Sequence, residues 1–370
     1  MAKKVLVTGG AGFIGTHVAA DLVARGYHVR VLDSFVSHRG ARRDRPTFAT
    51  GEIELLSGDV RDPGAVGAAL DGVSMVVHLA AMVGIAQSMY RMASYESVNA
   101  AGTATLLEAM IGRRIERLVV ASSMSIYGEG RYVSTDGVVH DHVERTRESL
   151  EQRQWEPLTA TGGRLLPVPT GEDKPPRLAS IYALSKFSQE RLCLIAGRAY
   201  NIPTVALRLF NVYGPGQALA NPYSGAFASF AVRLANKKPP VIFEDGGQLR
   251  DFVSVHDVAR AFALALEAAD ATGKVINIGS GVARSVSEVA ARMGQVMGGA
   301  PAPEITHEYR IGDVRHCFAD ISRAQALLGF FPEVTLDSGL SELCDWLCGQ
   351  KVEDRVAEAR HELFSRGLTL

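Results

Sequence analysis

The chain has 370 residues, 47% hydrophobic and 21% charged, a globular composition with length for two domains or for one large domain with additions. Its 39 Lys+Arg against 40 Asp+Glu leave a net charge of −1, which excludes a phosphate-backbone footprint over the whole surface and hence a nucleic-acid partner. Four cysteines (Cys193, Cys317, Cys344, Cys348) are too few for a disulfide framework, and no apolar run reaches the roughly 18 residues of a membrane span, so a cytoplasmic protein without membrane contact is expected.

From the N-terminus, short β-branched runs alternate with helical patterns. Val5-Leu6-Val7 predicts a strand where a signal peptide would need a longer apolar region. The pattern then predicts a helix over 13–25, strands over 28–32 and 53–56, a short helix over 63–70, a buried strand over 75–79, a helix over 97–111 and an apolar strand over 118–121. Apolar strands alternating with helices indicate a parallel sheet covered on both faces. Right-handed crossovers then make this a doubly wound α/β sheet of Rossmann type. Between 131 and 177 the alternation stops, leaving Gly, Pro and charged residues with one short helix predicted over 145–154. This stretch reads as an insert. Helical patterning resumes over 179–200 and a strand over 204–209; later segments carry more loops, such as Asn221-Pro222-Tyr223 and Lys237-Lys238-Pro239-Pro240. That half is expected to form a smaller α/β cap over the sheet's C-terminal edge, with 275–278 returning to the main sheet.

Directly after the first strand, Gly9, Gly12 and Gly15 have the spacing G-x-x-G-x-x-G. Gly9 permits a tight turn, Gly12 lets the backbone approach a pyrophosphate, and Gly15 lets the helix pack on the strand. The helix N-terminus offers free N–H groups and a positive dipole end to phosphates. Set between a strand and a helix, the triplet indicates a dinucleotide site. Asp33 ends the second strand, where a carboxylate accepts both ribose hydroxyls and repels a 2′-phosphate. NAD is therefore expected over NADP, although Arg39, Arg42 and Arg43 lie nearby. Asp59, in Gly58-Asp59-Val60, is positioned either for an adenine amino group or as a helix cap before Pro63. Leu79-Ala80-Ala81 closes the next strand with small side chains suited to a cofactor lying across the sheet edge.

Tyr182 and Lys186 are four residues apart on one helix face. A tyrosine near its ordinary pKa of about 10 is a poor base at neutral pH. A lysine one turn away is expected to lower it. Ser122-Ser123 and the run Phe210-Asn211-Val212-Tyr213-Gly214-Pro215 each follow a strand at the edge where such sheets build their sites.

Together these residues resemble the extended short-chain dehydrogenases/reductases, in particular the NAD-dependent epimerase/dehydratase family acting on nucleotide sugars. The likeness rests on residues 8–15, Asp33, Asp59-Val60, His78-Leu79-Ala80-Ala81, Ser122-Ser123, Tyr182/Lys186, Arg208-Leu209-Phe210-Asn211, Arg250-Asp251-Phe252 and Arg310-Ile311-Gly312-Asp313. The resemblance implies Tyr182 as acid/base, Lys186 as its partner and Ser123 as the hydrogen-bonding hydroxyl at the reacting carbon. It implies a cofactor site of Gly9, Gly12, Phe13, Ile14, Gly15, Asp33, Asp59, Val60, Leu79, Ala80, Ala81, Asn99, Tyr182 and Lys186. Gln87, Ser123, Ser125, Asn211, Arg250 and Arg310 are implied to hold a dTDP- or UDP-linked sugar, and a guanidinium fork suits phosphate oxygens. It further implies an NAD-binding domain over 1–211, carrying the 131–177 insert and taking back 252–280. A substrate-binding cap over 212–251 and 281–350, a solvated helical tail over 351–370, and a homodimer through helices 97–111 and 180–200 complete the picture.

The implied reaction is inversion of a sugar hydroxyl by transient oxidation. The insert and Gly84–Tyr90 resemble the subgroup of dTDP-L-rhamnose 4-epimerases, with one departure. That subgroup often carries paired cysteines in the insert, and Thr159-Ala160-Thr161-Gly162-Gly163 has none, so no metal is expected. Cys344 and Cys348, His307 and His316 lack metal-ligand spacing. A 4,6-dehydratase needs two carboxyl groups after the catalytic hydroxyl residue; here Met124 and Ser125 follow Ser123, and Glu129 lies beyond the Tyr127-Gly128 turn. A nucleotide-sugar decarboxylase, a net dehydrogenase and an NAD-sensing binding module remain as alternatives.

Overall fold

The computed structural model describes residues 3–36, 53–219, 225–299, 301–350 and 353–370, so Arg39, Arg42, Arg43 and Asn221-Pro222-Tyr223 lie outside the described residues. Strand β1 (Lys4–Thr8) leads through the helix Phe13–Ala24 to β2 (His28–Asp33) and β3 (Ile53–Ser57). The helix Pro63–Ala69, β4 (Met75–His78), the helix Gly102–Met110 and β5 (Arg117–Ser123) follow. The insert carries β6 (Arg131–Ser134), β7 (Val139–His140) and β8 (Leu165–Val168). Next come the helix Ile181–Ala199, β9 (Thr204–Leu209), β10 (Asn211–Tyr213), β11 (Val241–Ile242), β12 (Leu249–Ser254) and the helix Val255–Glu267. The C-terminal part holds β13 (Val275–Ile278), β14 (Ala283–Ser285), β15 (Glu304–Ile305), β16 (His316–Cys317) and a last helix, Val356–Ser365.

Seven strands form one parallel sheet in the order β13-β9-β5-β4-β1-β2-β3. The period of two puts Val5, Val7 and Val77 on one face with Val18, Leu22 and Phe262, while Leu6, Val76 and Leu118 pack on the other with Val66, Leu106 and Cys193. Burial on both faces is why these strands read as continuous apolar runs, each large side chain contributing about 1.5–3 kcal/mol. Strand order reverses between β1 and β4, which opens a crevice beyond their C-terminal ends. A separate sheet of β10, β12, β14 and β16 covers this edge, its aromatic core including Tyr213 stacked on Phe227 at 4.6 Å.

Three elements differ from the sequence expectation. The insert contains an antiparallel sheet, β7-β6-β8, whose strands are too short to show a period, and a helix only over Arg147–Glu151. The helix expected over 97–111 begins as a π-helix over Glu96–Ala101. There Asn99 is drawn inward to Met82 and Ser185, and a Cβ on Gly102 would come 2.7 Å from Val60. The charged tail is docked, not merely solvated. Ala359 and Leu363 are buried, Arg360 donates to Glu304 and Glu308, and Tyr309 and Leu370 exchange backbone hydrogen bonds. A helix with charges on one side still buries the other.

Candidate active site at the sheet crevice

The glycine loop has a different steric reason at each position. Gly9 adopts φ +70°, and a Cβ there would lie 2.7 Å from the Ala80 nitrogen, so the loops after β1 and β4 touch at the crevice. On Gly15 a Cβ would meet Gly9 O at 2.4 Å and Gly10 Cα at 2.6 Å. On Gly12 it would meet only Gly9 O, at 3.1 Å, and otherwise face open space. Gly12 also caps the helix Phe13–Ala24 with no side-chain hydrogen bond and no acidic residue in the first turn, leaving its N–H groups for an anion. This open cradle fits a pyrophosphate. The Asp33 carboxylate is buried at the end of β2, accepting from Ala11 N at 3.0 Å and Phe35 N at 2.8 Å, so it braces the loop from the ribose side. Asp59 is neither free nor the helix cap. Arg61 binds both its oxygens, at 2.9 and 2.6 Å, while Asp62 caps the helix Pro63–Ala69.

Tyr182 enters on the helix Ile181–Ala199, which starts where Ser180 Oγ accepts from Ala183 N, and its own N–H donates to Ser88 Oγ at 3.0 Å. Burial pushes the Tyr182 phenol above its ordinary pKa, and a side-chain hydrogen bond with Ser123 opposes that rise. Ser123 Oγ also accepts from Ser125 N at 3.2 Å and Ser125 Oγ at 2.9 Å. The Tyr95 ring stands edge-on to Tyr182 at 6.3 Å, and Tyr95 Oη donates to Val83 O at 2.9 Å and to the buried Gln87 Oε1 at 3.3 Å. The structure thus brings together Ser123, Ser125, Tyr182, Tyr95 and Gln87.

The expected lowering of Tyr182 by Lys186 is not what the packing produces. Lys186 donates to Ala121 O at 2.7 Å and to Gln189 Oε1, and burial pushes its ammonium down to about 8. An ammonium offers only donors, so the Gln189 amide oxygen must face it. The amide nitrogen then faces Thr103 Oγ1 at 3.0 Å and His78 Nε2 at 2.9 Å. His78, lying between Thr8 and Thr103, is held neutral by burial with its pKa down to about 3. Gln189 and Thr103 were not anticipated, and His78 was named only within the run His78-Leu79-Ala80-Ala81, without this role. The available signal was Gln189's place three residues after Lys186 on the same helix face. Asn99 fastens this layer, donating to Met82 O and Ser185 Oγ. Beneath Ser123, Arg208 donates to both oxygens of Glu190 at 2.9 and 2.8 Å, and Ser122 Oγ donates to Glu190 at 2.6 Å.

The arginines expected to grip phosphate lie outside the seven-stranded sheet. Arg250 donates to the carbonyls of Leu249, Val314 and Arg315. Arg310 pairs with Asp313 at 2.7 Å and lies over the Phe243 ring at 4.3 Å. Gly312, two residues after Arg310, packs against the start of the Tyr182 helix, a Cβ there coming 3.3 Å from Ala179 O. Asn211 Nδ2 lies 3.9 Å from Met124 Sδ. Among the described residues no three His, Cys, Asp or Glu side chains group as metal ligands, and no helix is long and apolar enough to cross a membrane. His316 instead accepts from Leu249 N at Nδ1 and pairs with Glu156 at 2.9 Å.

A family profile matches residues 5–149 and 159–279. The chain is 37% identical over 349 residues to the dTDP-L-rhamnose 4-epimerase of Burkholderia thailandensis, covering 93% of this chain and 95% of that one. It superposes on the UDP-glucose 4-epimerase of Thermotoga maritima bound to UDP-glucose with a TM-score of 0.77 and 29% identity, over 93% of this chain and 98% of that one. With the UDP-glucuronic acid 4-epimerase of Bacillus cereus, solved with UDP-glucuronic acid and NAD, the TM-score is 0.75 at 28% identity, over 93% and 99%. With the glycine cradle, the Ser123–Tyr182 contact and these likenesses in agreement, the chain belongs to the NAD dependent epimerase/dehydratase family.

Proposed function

We propose that this protein is an NAD-dependent epimerase that inverts a hydroxyl, at C4, of a dTDP- or UDP-linked sugar. The observation that carries the reading is the convergence of the Tyr182 phenol on Ser123 at the C-terminal end of β5, the sheet edge that also carries the open Gly12 cradle. Gly9, Gly12, Gly15, Asp33 and the β4 loop Leu79-Ala80-Ala81 would hold NAD, which when bound supplies the hydride acceptor and donor. Phe13 and Ile14 in the first turn of the following helix, Val60 after β3, and Asn99, which holds Met82, would complete that site. Asp59 joins them only if it releases Arg61. Ser123 orients the sugar hydroxyl while Tyr182 takes its proton, and Tyr182 returns a proton after the sugar has turned over in the pocket. Lys186, charged below about pH 8, would help hold the ribose of the cofactor's nicotinamide. Asn211, Arg250 and Arg310 grip the diphosphate, with Gln87 and Ser125 toward the sugar.

Dehydration is disfavoured by the surroundings of Glu129. That carboxylate accepts from Tyr132, Arg145 and the Arg315 and His316 nitrogens, so it has no freedom to serve as the acid or base after Ser123. We assign cofactor binding to 1–211 with 252–280, and substrate binding to 212–251 and 281–350. Two copies pair through the helical faces exposing Ile111, Leu184, Ile195 and Tyr200. The free thiols Cys193, Cys317, Cys344 and Cys348 suit a cytoplasmic setting.

The test is incubation with a panel of dTDP- and UDP-sugars, with 6-deoxyhexoses first, reading product stereochemistry by NMR. Inversion without added reductant and without accumulation of reduced cofactor is expected. Steady release of reduced cofactor means a net dehydrogenase, and a 4-keto-6-deoxy product means a dehydratase.

A further inference from the structure

Glu244 combines two costs that few residues carry together. It is 1% exposed, and its backbone has φ +55°, the left-handed region that disfavours a side chain with a Cβ. Both carboxylate oxygens are taken: Arg145 NH1 donates to one at 2.8 Å and Arg315 NH1 to the other at 2.9 Å. Arg145 also donates to Glu129 at 3.0 Å, and the Arg315 nitrogen donates to Glu129 at 2.7 Å. The quartet is buried and drawn from separate stretches of chain, and Arg315 also pairs with Asp245 at 2.6 Å. Glu129 follows the Ser123 turn, Arg145 comes from the insert, Glu244 from the loop after β11, and Arg315 from the segment leading into β16. Half-exposed Glu156, also from the insert, extends it to Arg315 at 2.6 Å and His316 at 2.9 Å.

Burying charges and straining a backbone persist only where the surroundings over-determine them. What this network holds still is the substrate side of the cap. The carbonyls of Val314 and Arg315 hold the Arg250 guanidinium, Arg145 donates to Asp313 O at 3.1 Å, and Arg310 lies between Asp313 and the ring of Phe243, next to Glu244. We propose that the insert is a fixed brace rather than a lid: through Glu129, Arg145, Glu244 and Arg315 it positions Arg250 and Arg310, and so sets the affinity for the nucleoside diphosphate part of the substrate. Glu244 and Arg145 are positioning residues. They touch neither NAD nor the reacting carbon.

This inference rests on the nucleotide-sugar reading, and its test separates the two. UDP and dTDP, each alone, and NAD are titrated into wild type, Glu244→Gln, Glu244→Gly, Arg145→Lys and Arg145→Met, with circular dichroism confirming the fold. Wild type binds at least one nucleotide. Glu244→Gly relaxes the left-handed backbone but takes one carboxylate contact from each guanidinium group, Arg145 keeping Glu129 and Arg315 keeping Asp245 and Glu156, so its nucleotide Kd rises about tenfold or more, as for loss of one or two charged hydrogen bonds. Glu244→Gln rises less, Arg145→Lys recovers part of the loss relative to Arg145→Met, and the Kd for NAD and kcat at saturation stay within about twofold of wild type. A purely local fit of Glu244 would leave Glu244→Gly binding UDP like wild type, which overturns the brace. Equal weakening of NAD binding also overturns it, as general loosening. Should the buried variants not fold, Glu156→Gln, at the exposed edge, carries the test: a KM raised about threefold with unchanged kcat supports the brace, and an unchanged KM overturns it. Wild type that binds neither nucleotide overturns the functional reading itself.

Discussion

Gly12→Ala and Gly15→Ala add the same methyl group three residues apart and should fail in different ways. At Gly15 the new Cβ would press on Gly9 O at 2.4 Å and on the Gly10 backbone at 2.6 and 2.8 Å, none of which is a flexible side-chain end. Overpacking of that kind costs about 1–3 kcal/mol of stability. At Gly12 the only near atom is Gly9 O at 3.1 Å, so relaxation by a few tenths of an ångström suffices. Replacing a glycine N-cap by alanine adds at most about 1 kcal/mol. The Gly12 methyl does, however, occupy the space through which a pyrophosphate reaches the uncapped N–H groups of the helix Phe13–Ala24. Losing one or two hydrogen bonds to a charged phosphate, at roughly 1.5–3 kcal/mol each, weakens NAD binding by about one to four powers of ten. Urea unfolding and calorimetric NAD titration read the two effects separately. Gly12→Ala binding NAD as tightly as wild type, or Gly15→Ala folding with undiminished stability, would refute the assignment of the cradle.

Three further outcomes are expected. Tyr182→Phe should lose about two to four powers of ten in kcat while nucleotide affinity holds, and Ser123→Ala should lose less; near-normal turnover of Tyr182→Phe removes it as the acid/base. Because burial lowers Lys186 to about 8, the ammonium is charged below that pH and neutral above it, so kcat/KM should fall as pH rises through about 8. A profile level up to pH ~10, the ordinary lysine range, contradicts a role for the charged form. Glu190→Leu should cost about 3–5 kcal/mol in denaturant unfolding, since it leaves the Arg208 guanidinium buried without its carboxylate, and adding Arg208→Met should recover much of the loss; independent, additive effects would show that the pair is not coupled.

The 131–177 insert shows where reading the chain stops short. Tethered beside Ser123 and rejoining just before Tyr182, it reads in sequence as a lid or specificity element, with a surface elaboration or oligomer contact as the alternative. In the fold it supplies Arg145 and Glu156 to a buried charge network, so excising 137–170 would take the Arg145 guanidinium from Glu129 and Glu244 and one carboxylate from Arg315. The partners lie 99 and 159 residues away in the case of Arg145–Glu244 and Glu156–Arg315, and no local pattern pairs them.

What the sequence by itself determined is what local geometry and periodicity control. Strand–helix alternation with doubly apolar strands specifies the parallel sheet, because each strand is buried on both faces. The Gly9, Gly12 and Gly15 spacing specifies the cradle, because its turn and helix start lie within a few residues of chain, although Gly9 also makes room for Ala80 of the distant β4 loop. Tyr182 and Ser123 were legible because each stands at the end of a recognisable element on the same sheet edge. Tertiary structure alone decided the electrostatics. Lys186 turns to Ala121 O, 65 residues earlier, and to Gln189, and Arg250 spends its donors on carbonyls 64 and 65 residues later. A side chain's charge state and partners depend on which groups share its low-dielectric surroundings, and those surroundings exist only once distant segments have packed together.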